Sequence, residues 1–252
     1  MLSWLSLKAL IFTLAQTAFR KDEVSVESAK VGFSKVQLSR SSVVWKIGGK
    51  DVISPTVADI DALQEGDGCF IFPRPSKADY DGSFWCDKPI WLPLTEERPD
   101  TVCAARALAA IERAFPVYDL ARQNVPLFAN DSGGPFTHSQ LEKFLSSALA
   151  FLVPMEHVKD YSWHSFRIYL ACALDKAKCP HDKIKRICRW ISDESLFTYI
   201  RPGAEMYEEW LPKAQRQVVD ARQTHHIDRV TDDLGTMRHL AEHFDVGTEE
   251  PG

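Results

Sequence analysis

His164 and Arg167 stand three residues apart, Trp190 follows, and Tyr199 comes nine positions after Trp190. A histidine and an arginine at that spacing share one face of a helix, so both can reach a single anion. The chemistry this suggests is phosphodiester cleavage. Such a reaction must stabilise charge growing on the two non-bridging oxygens, supply an in-line nucleophile and protonate the leaving oxygen. A guanidinium suits the first task, because its fork donates parallel hydrogen bonds and stays charged at any working pH. Arg20 and Arg167 are the two candidates. His164 can donate to the same phosphate or assist proton transfer. Tyr199 carries a phenol able to form a covalent phosphoryl intermediate. Trp190 adds an indole N–H donor, and a lysine on its flexible stem is the natural acid for the leaving oxygen.

Two further segments complete the set. Thr17-Ala18-Phe19-Arg20 is followed by Glu23, and Ser76-Lys77-Ala78-Asp79 falls in a turn between two apolar stretches. In this order the residues resemble the active site of the tyrosine recombinases, the phage-integrase family. That family's first arginine lies in a Thr-Gly-x-Arg-x-x-Glu/Asp pattern, read here with alanine for glycine and with Glu23 at the acidic position. Its lysine lies in the turn between the second and third strands, which Lys77 matches. His164, Arg167, Trp190 and Tyr199 match the rest, with tryptophan where many members have histidine. The resemblance covers about residues 5–222.

The resemblance implies that Tyr199 attacks a scissile phosphate, forming a 3′-phosphotyrosyl link and freeing a 5′-hydroxyl. Arg20, Arg167, His164 and Trp190 would hold the phosphate, Lys77 would protonate the leaving oxygen, and Glu23 would orient its neighbours. It also implies double-stranded DNA as partner, no metal or nucleotide cofactor, and a location inside the cell with the DNA, nuclear or nucleoid according to host. A homo-tetramer on DNA would assemble through the helix after Tyr199, about 204–222. Members of the family carry an N-terminal helical domain that clamps the other face of DNA. This chain starts at the helix leading to Arg20, so a catalytic domain without that clamp is expected. The long separation of Arg20 from Lys77 implies an insertion.

The elements that must position these residues are legible from periodicity. Apolar residues at 5, 9 and 12 predict a helix over about 2–19. Val43–Ile47, closed by Gly48-Gly49, reads as a strand, and residues 50–66 as irregular or a short helix. Cys69–Phe72 and Pro89–Leu94 read as two more strands, separated by a proline- and glycine-bearing turn. Helices are predicted at about 101–115, from a Thr137/Gln140 capping box to 150, and near 164–178, 182–189, 193–200 and 204–222. The expected fold is therefore mainly α with a small three-stranded antiparallel sheet, an α+β class with the architecture of a DNA breaking-rejoining catalytic domain. Residues 1–222 form that domain and 223–252 an acidic polar tail.

Composition bounds the alternatives. The chain is 45% hydrophobic and 26% charged, enough to fill a core. Its net charge is −5, but residues 160–204 carry eight Lys/Arg against five Asp/Glu, whereas 205–252 carry five against eleven. The stretch bearing the site is the basic one. Six cysteines show no zinc spacing and read as free thiols. The apolar N-terminus is interrupted by Lys8 and reads as a buried helix rather than a secretory signal or a membrane span. No Walker loop, GxGxxG or heptad repeat occurs. Lys46, Lys50 or Lys88 stand as alternatives to Lys77, and Tyr207 to Tyr199. The histidines at 225, 226, 239 and 243 read as solvated residues of the tail. Three other functions stay open: a non-catalytic DNA-binding remnant of a mobile element, a type IB topoisomerase relative, and a secreted non-DNA protein.

Overall fold

The computed structural model describes residues 1–34, 36–76, 79–96, 101–200 and 211–216. The chain divides into two units, Met1–Arg201 and Pro202–Gly252. In the second, residues 211–215 are helical, and the remainder of the expected 204–222 helix and of the acidic tail lies outside the described residues, as does Tyr207.

The first unit opens with α1 (Leu2–Thr17), which is apolar around most of its circumference and buries Leu7, Leu10 and Leu14. It packs against α4 (Ala104–Ala114). Ala104, Ala105, Ala107 and Ala109 line the buried side of α4, and their small side chains let the two helices approach closely. Gln16 fastens the contact: its Oε1 accepts from the Ala104 N–H at 2.9 Å and its Nε2 donates to the Val102 carbonyl at 2.9 Å. One orphan donor at the start of α4 is satisfied in this way.

After α1 comes α2 (Lys21–Val24), then an antiparallel sheet. Its strands are β1 (Val43–Ile47), β2 (Lys50–Val52), β3 (Gly68–Ile71) and β4 (Ile90–Pro93), in the order β2-β1-β3-β4. Four strands thus stand where three were expected. The extra one, β2, is a short polar Lys-Asp-Val segment with no alternation to betray it. Its pairing comes from Gly48 (φ 55°) and Gly49 (φ 80°), which form a two-residue hairpin turn with Ile47 opposite Lys50. The inward face carries Val43, Trp45, Cys69, Ile71 and Leu92, with Trp45 opposite Cys69 and Cys69 opposite Leu92. Helix α3 (Val57–Asp61) follows β2 and buries Ile60.

Beyond α4 lie α5 (His138–Leu149), α6 (Ser165–Lys176), α7 (His181–Ile187) and α8 (Asp193–Tyr199). The Thr137/Gln140 capping box opens α5 as expected: Thr137 Oγ1 accepts from Gln140 N at 3.2 Å and the Gln140 side chain accepts from Thr137 N at 2.9 Å. The main core joins α1, α4, α5 and the sheet. A smaller one joins Ala18 to Ala171, Ile184, Cys188, Trp190 and Leu196, with Tyr199 packed on its edge. The chain is of mixed α+β class, as expected, and the seam between its two cores is where the candidate residues meet.

Candidate active site

The seam begins at a left-handed turn. Ala18 follows α1 with φ 53° and ψ 29°, a conformation that glycine adopts without strain and alanine does not. Its amide donates to the Leu14 carbonyl at 3.3 Å, which ends the helix. Arg20 then takes an extended conformation (φ −86°, ψ 156°), and its amide donates to Glu23 Oε2 at 2.6 Å. The expected helix to residue 19 therefore breaks two residues earlier, and the break turns Arg20 out of α1.

Glu23 is buried, and its carboxylate accepts from Arg189 in a fork: Nη1 to Oε1 at 2.8 Å and Nη2 to Oε2 at 3.1 Å. Arg189 also lies over the Phe19 ring, 4.1 Å from its centroid. It occupies the position after the C-cap of α7 with φ 55°. There the Trp190 amide donates to the Lys185 carbonyl at 2.8 Å and the Arg189 amide to Arg186 at 3.2 Å, a Schellman closure. Glycine is the usual residue at such a position. Arginine holds it here with a buried counter-ion.

Arg167, on α6 and 3% exposed, bridges the same two turns. Its Nη1 donates to the Ala18 carbonyl and its Nη2 to the Cys188 carbonyl at 3.3 Å. Both acceptors sit at helix C-termini, where carbonyls lack intrahelical partners and a cation is favoured. Burial, with Arg20 and Arg189 nearby, pulls the Arg167 pKa down to about 10, which leaves it cationic at neutral pH.

His164 immediately precedes α6, and its carbonyl accepts the Arg167 amide at 3.0 Å. Partial burial first, then the charges of Arg167 and Arg20, lower its pKa from 6.5, so the imidazole is neutral at pH 7. Its ring lies 5.2 Å from that of Tyr199, which in turn stacks on Trp190 at 4.8 Å and 19° between planes. The Arg167 guanidinium lies 5.7 Å from the Trp190 ring. The Arg20 guanidinium, half-exposed, has no acid or carbonyl partner among the described residues.

Six of the seven expected residues thus converge: Arg20, Glu23, His164, Arg167, Trp190 and Tyr199. Lys77 lies outside the described residues. Its neighbours Ser76 and Asp79 pair across the turn between β3 and β4, where a lysine was expected. Burial first, then Asp79, raises the pKa of Cys86, which lies between β3 and β4, and Arg74 and more weakly Arg189 oppose the rise. Of the alternative lysines, Lys46 pairs with Asp51 at 3.2 Å, and Lys88 donates to the Phe84 carbonyl and lies near Asp87 at 3.8 Å.

Sequence reasoning did not assign Arg189 a role. Its adjacency to Trp190 was the one available signal, and nothing local announces a partner 166 residues away. With Arg189 included, the cluster sets three guanidinium groups against one carboxylate, an excess of two positive charges at neutral pH with His164 neutral. The arrangement can hold a dianionic or monoanionic phosphate beside a phenol and a neutral imidazole. No model of a known protein family matches the chain, and no curated protein or solved structure does either.

Proposed function

We infer that this chain is a tyrosine-recombinase-like catalytic domain that cleaves and rejoins double-stranded DNA through Tyr199. The observation that supports the reading best is convergence. Arg20, His164, Arg167, Trp190 and Tyr199 come from four separate segments, yet they meet around one cationic seam in the family's order. In the reaction, the Tyr199 oxygen bonds to the scissile phosphorus while the bond to the 5′ oxygen breaks. Arg20 and Arg167 offset the charge on the non-bridging oxygens. Neutral His164, beside the phenol, is suited to accept its proton, and Lys77 returns a proton to the leaving 5′ oxygen. A tetramer on DNA and the breaking-rejoining domain architecture belong to the same reading.

An activated substrate tests the chemistry without knowledge of a target sequence. A nucleoside 3′-(p-nitrophenyl phosphate) carries a leaving group that requires no acid, so it probes the clamp and nucleophile alone. The expected result is release of p-nitrophenolate with a nucleotide mass added to Tyr199. Release without that adduct would overturn Tyr199 as the nucleophile, and no release by a folded protein that binds DNA would replace this reading with the non-catalytic remnant.

A further inference from the structure

A second cationic feature lies outside the cluster. The segment 38–42 is laced to 125–127: the Arg40 amide donates to the Val125 carbonyl at 3.0 Å and the Leu127 amide to the Leu38 carbonyl at 2.9 Å. Beside this seam opens a cleft of about 420 Å³, lined by Phe33, Ser39, Ser41, Arg74, Gln123 and Asn124 among others. That volume suits a small ligand, and no acid is among its described lining residues.

Arg74 is the charged wall of the cleft. Its Nε donates to Ser42 Oγ at 3.0 Å, and its Nη2 to Ser39 Oγ and Ser41 Oγ at 3.3 Å each. These partners are all neutral hydroxyls, and no carboxylate is bonded to this guanidinium among the described residues. A guanidinium carries five N–H donors, and both hydrogens on Nη1 have no partner among the described residues. Ser39 Oγ and Ser41 Oγ lie 2.8 Å apart, so one of these hydroxyls donates to the other and the second keeps its proton to donate.

Charge beneath the cleft points the same way. Arg40, between Ser39 and Ser41, pairs with Glu112 at 2.8 Å. Arg122, next to Gln123, pairs with the same Glu112 at 2.8 Å. All three side chains are at most 3% exposed, so two buried cations share one buried anion. A buried surplus charge is costly unless something offsets it. An anion in the cleft would offset both this surplus and Arg74.

We propose that this cleft is a phosphate-binding site, with Arg74 as its fork and the free hydroxyl of the Ser39–Ser41 pair as a further donor. In the working enzyme its occupant is a backbone phosphate of the DNA, an assignment that rests on the recombinase reading. The cleft and the candidate active site adjoin a common loop. Arg74 stands at the foot of the β3–β4 turn that carries Lys77, and Cys86 in that turn feels the charges of both Arg74 and Arg189. The Glu23 carbonyl also accepts the Leu38 amide at 2.9 Å, where the cleft-forming segment begins. A strand phosphate held here would steady the turn beside the scissile one.

Tungstate, a phosphate analogue located by anomalous scattering, tests the site on crystals of the full chain. Density in the cleft is expected. In parallel, the salt dependence of binding to a mixed-sequence duplex is measured for wild type, Arg74→Gln and Arg74→Lys. The Gln variant is expected to lower the slope of log affinity against log salt by about 1, and Lys to preserve it. Tungstate in the cleft with an unchanged slope in Arg74→Gln would confirm the phosphate site but assign it to a free phosphate ligand. A slope lost equally in Gln and Lys would mean that Arg74 only braces the serine turn, and would overturn the assignment to DNA. Tungstate at Arg20 but not in the cleft would overturn the phosphate site and spare the proposed function. Density in the cleft and none at Arg20 would do the reverse.

Discussion

Glu23 and Arg189, 166 residues apart, meet in two buried hydrogen bonds of 2.8 and 3.1 Å. The pair closes the candidate site, since Glu23 also receives the Arg20 amide and Arg189 carries the turn into Trp190. Removing one partner leaves the other charged and buried, a change that costs about 3–5 kcal/mol. Urea denaturation of Glu23→Gln is expected to show a loss of that size. Glu23→Leu combined with Arg189→Leu is expected to cost much less than the sum of the single changes, because no unpaired charge remains. Additive losses would show that the two side chains act independently.

Ala18 and Arg189 both hold left-handed backbone that suits glycine, but their side chains are not equally dispensable. A non-glycine residue in this conformation carries about 1–2 kcal/mol of strain. At Ala18, which is fully buried, glycine relieves that strain and forfeits one methyl worth about 0.8 kcal/mol, so the two effects nearly cancel. Ala18→Gly is therefore expected to shift stability by less than about 1 kcal/mol, while Ala18→Val adds crowding to strain and costs about 2–5 kcal/mol. At Arg189 glycine relieves the same strain but strands Glu23. Arg189→Gly should be destabilising overall, yet less so than Arg189→Met by about 1–2 kcal/mol. Thermal or urea melts of the four variants check the order.

These two positions also show what a sequence can disclose. Helix periodicity located α1 and α4 through α8 to within a few residues, because each buries a stripe against one of two cores. Gly48-Gly49 marked the end of β1, but β2 is too short and polar to show alternation, and only its pairing makes it a strand. The candidate site's residue types were legible as a set, since Arg20, His164, Arg167, Trp190 and Tyr199 are together the types that a phosphodiester-cleaving site would need. Arg189 was not. An arginine placed after apolar Ile187 and Cys188 discloses neither its left-handed backbone nor its distant carboxylate. The Arg40–Glu112–Arg122 triad was invisible for the same reason, its members being far apart in sequence and joined only by folding.

His164 makes the site pH-sensitive. Burial and the charges of Arg167 and Arg20 depress its pKa below 6.5, so the folded chain binds this proton less readily than the unfolded one. The contribution to stability is present above pH 6.5 and is lost as pH falls through the lower folded value. NMR titration of the His164 ring is expected to give a midpoint below 6.5. Arg20→Gln removes one repelling charge and is expected to raise that midpoint, as is vanadate bound between the arginines. A midpoint unmoved by both would place His164 outside the anion site.

Tyr199 separates chemistry from architecture. Its ring supplies the stack on Trp190 at 4.8 Å and the contact with His164 at 5.2 Å, whereas its hydroxyl makes no hydrogen bond among the described residues. Phenylalanine keeps both ring contacts and leaves no buried polar group unpaired. Tyr199→Phe is therefore expected to change stability by less than about 0.5 kcal/mol, as for a substitution that removes no buried contact. It should leave duplex affinity and its salt slope unaltered, because the cations proposed to meet the phosphates are untouched. Covalent attachment to DNA, in contrast, should vanish, since in the proposed reaction the phenol oxygen is the atom that bonds to phosphorus. The three readouts together are decisive. If stability or affinity falls with the adduct, the hydroxyl has a structural role, and if the adduct survives in Tyr199→Phe, another residue is the nucleophile.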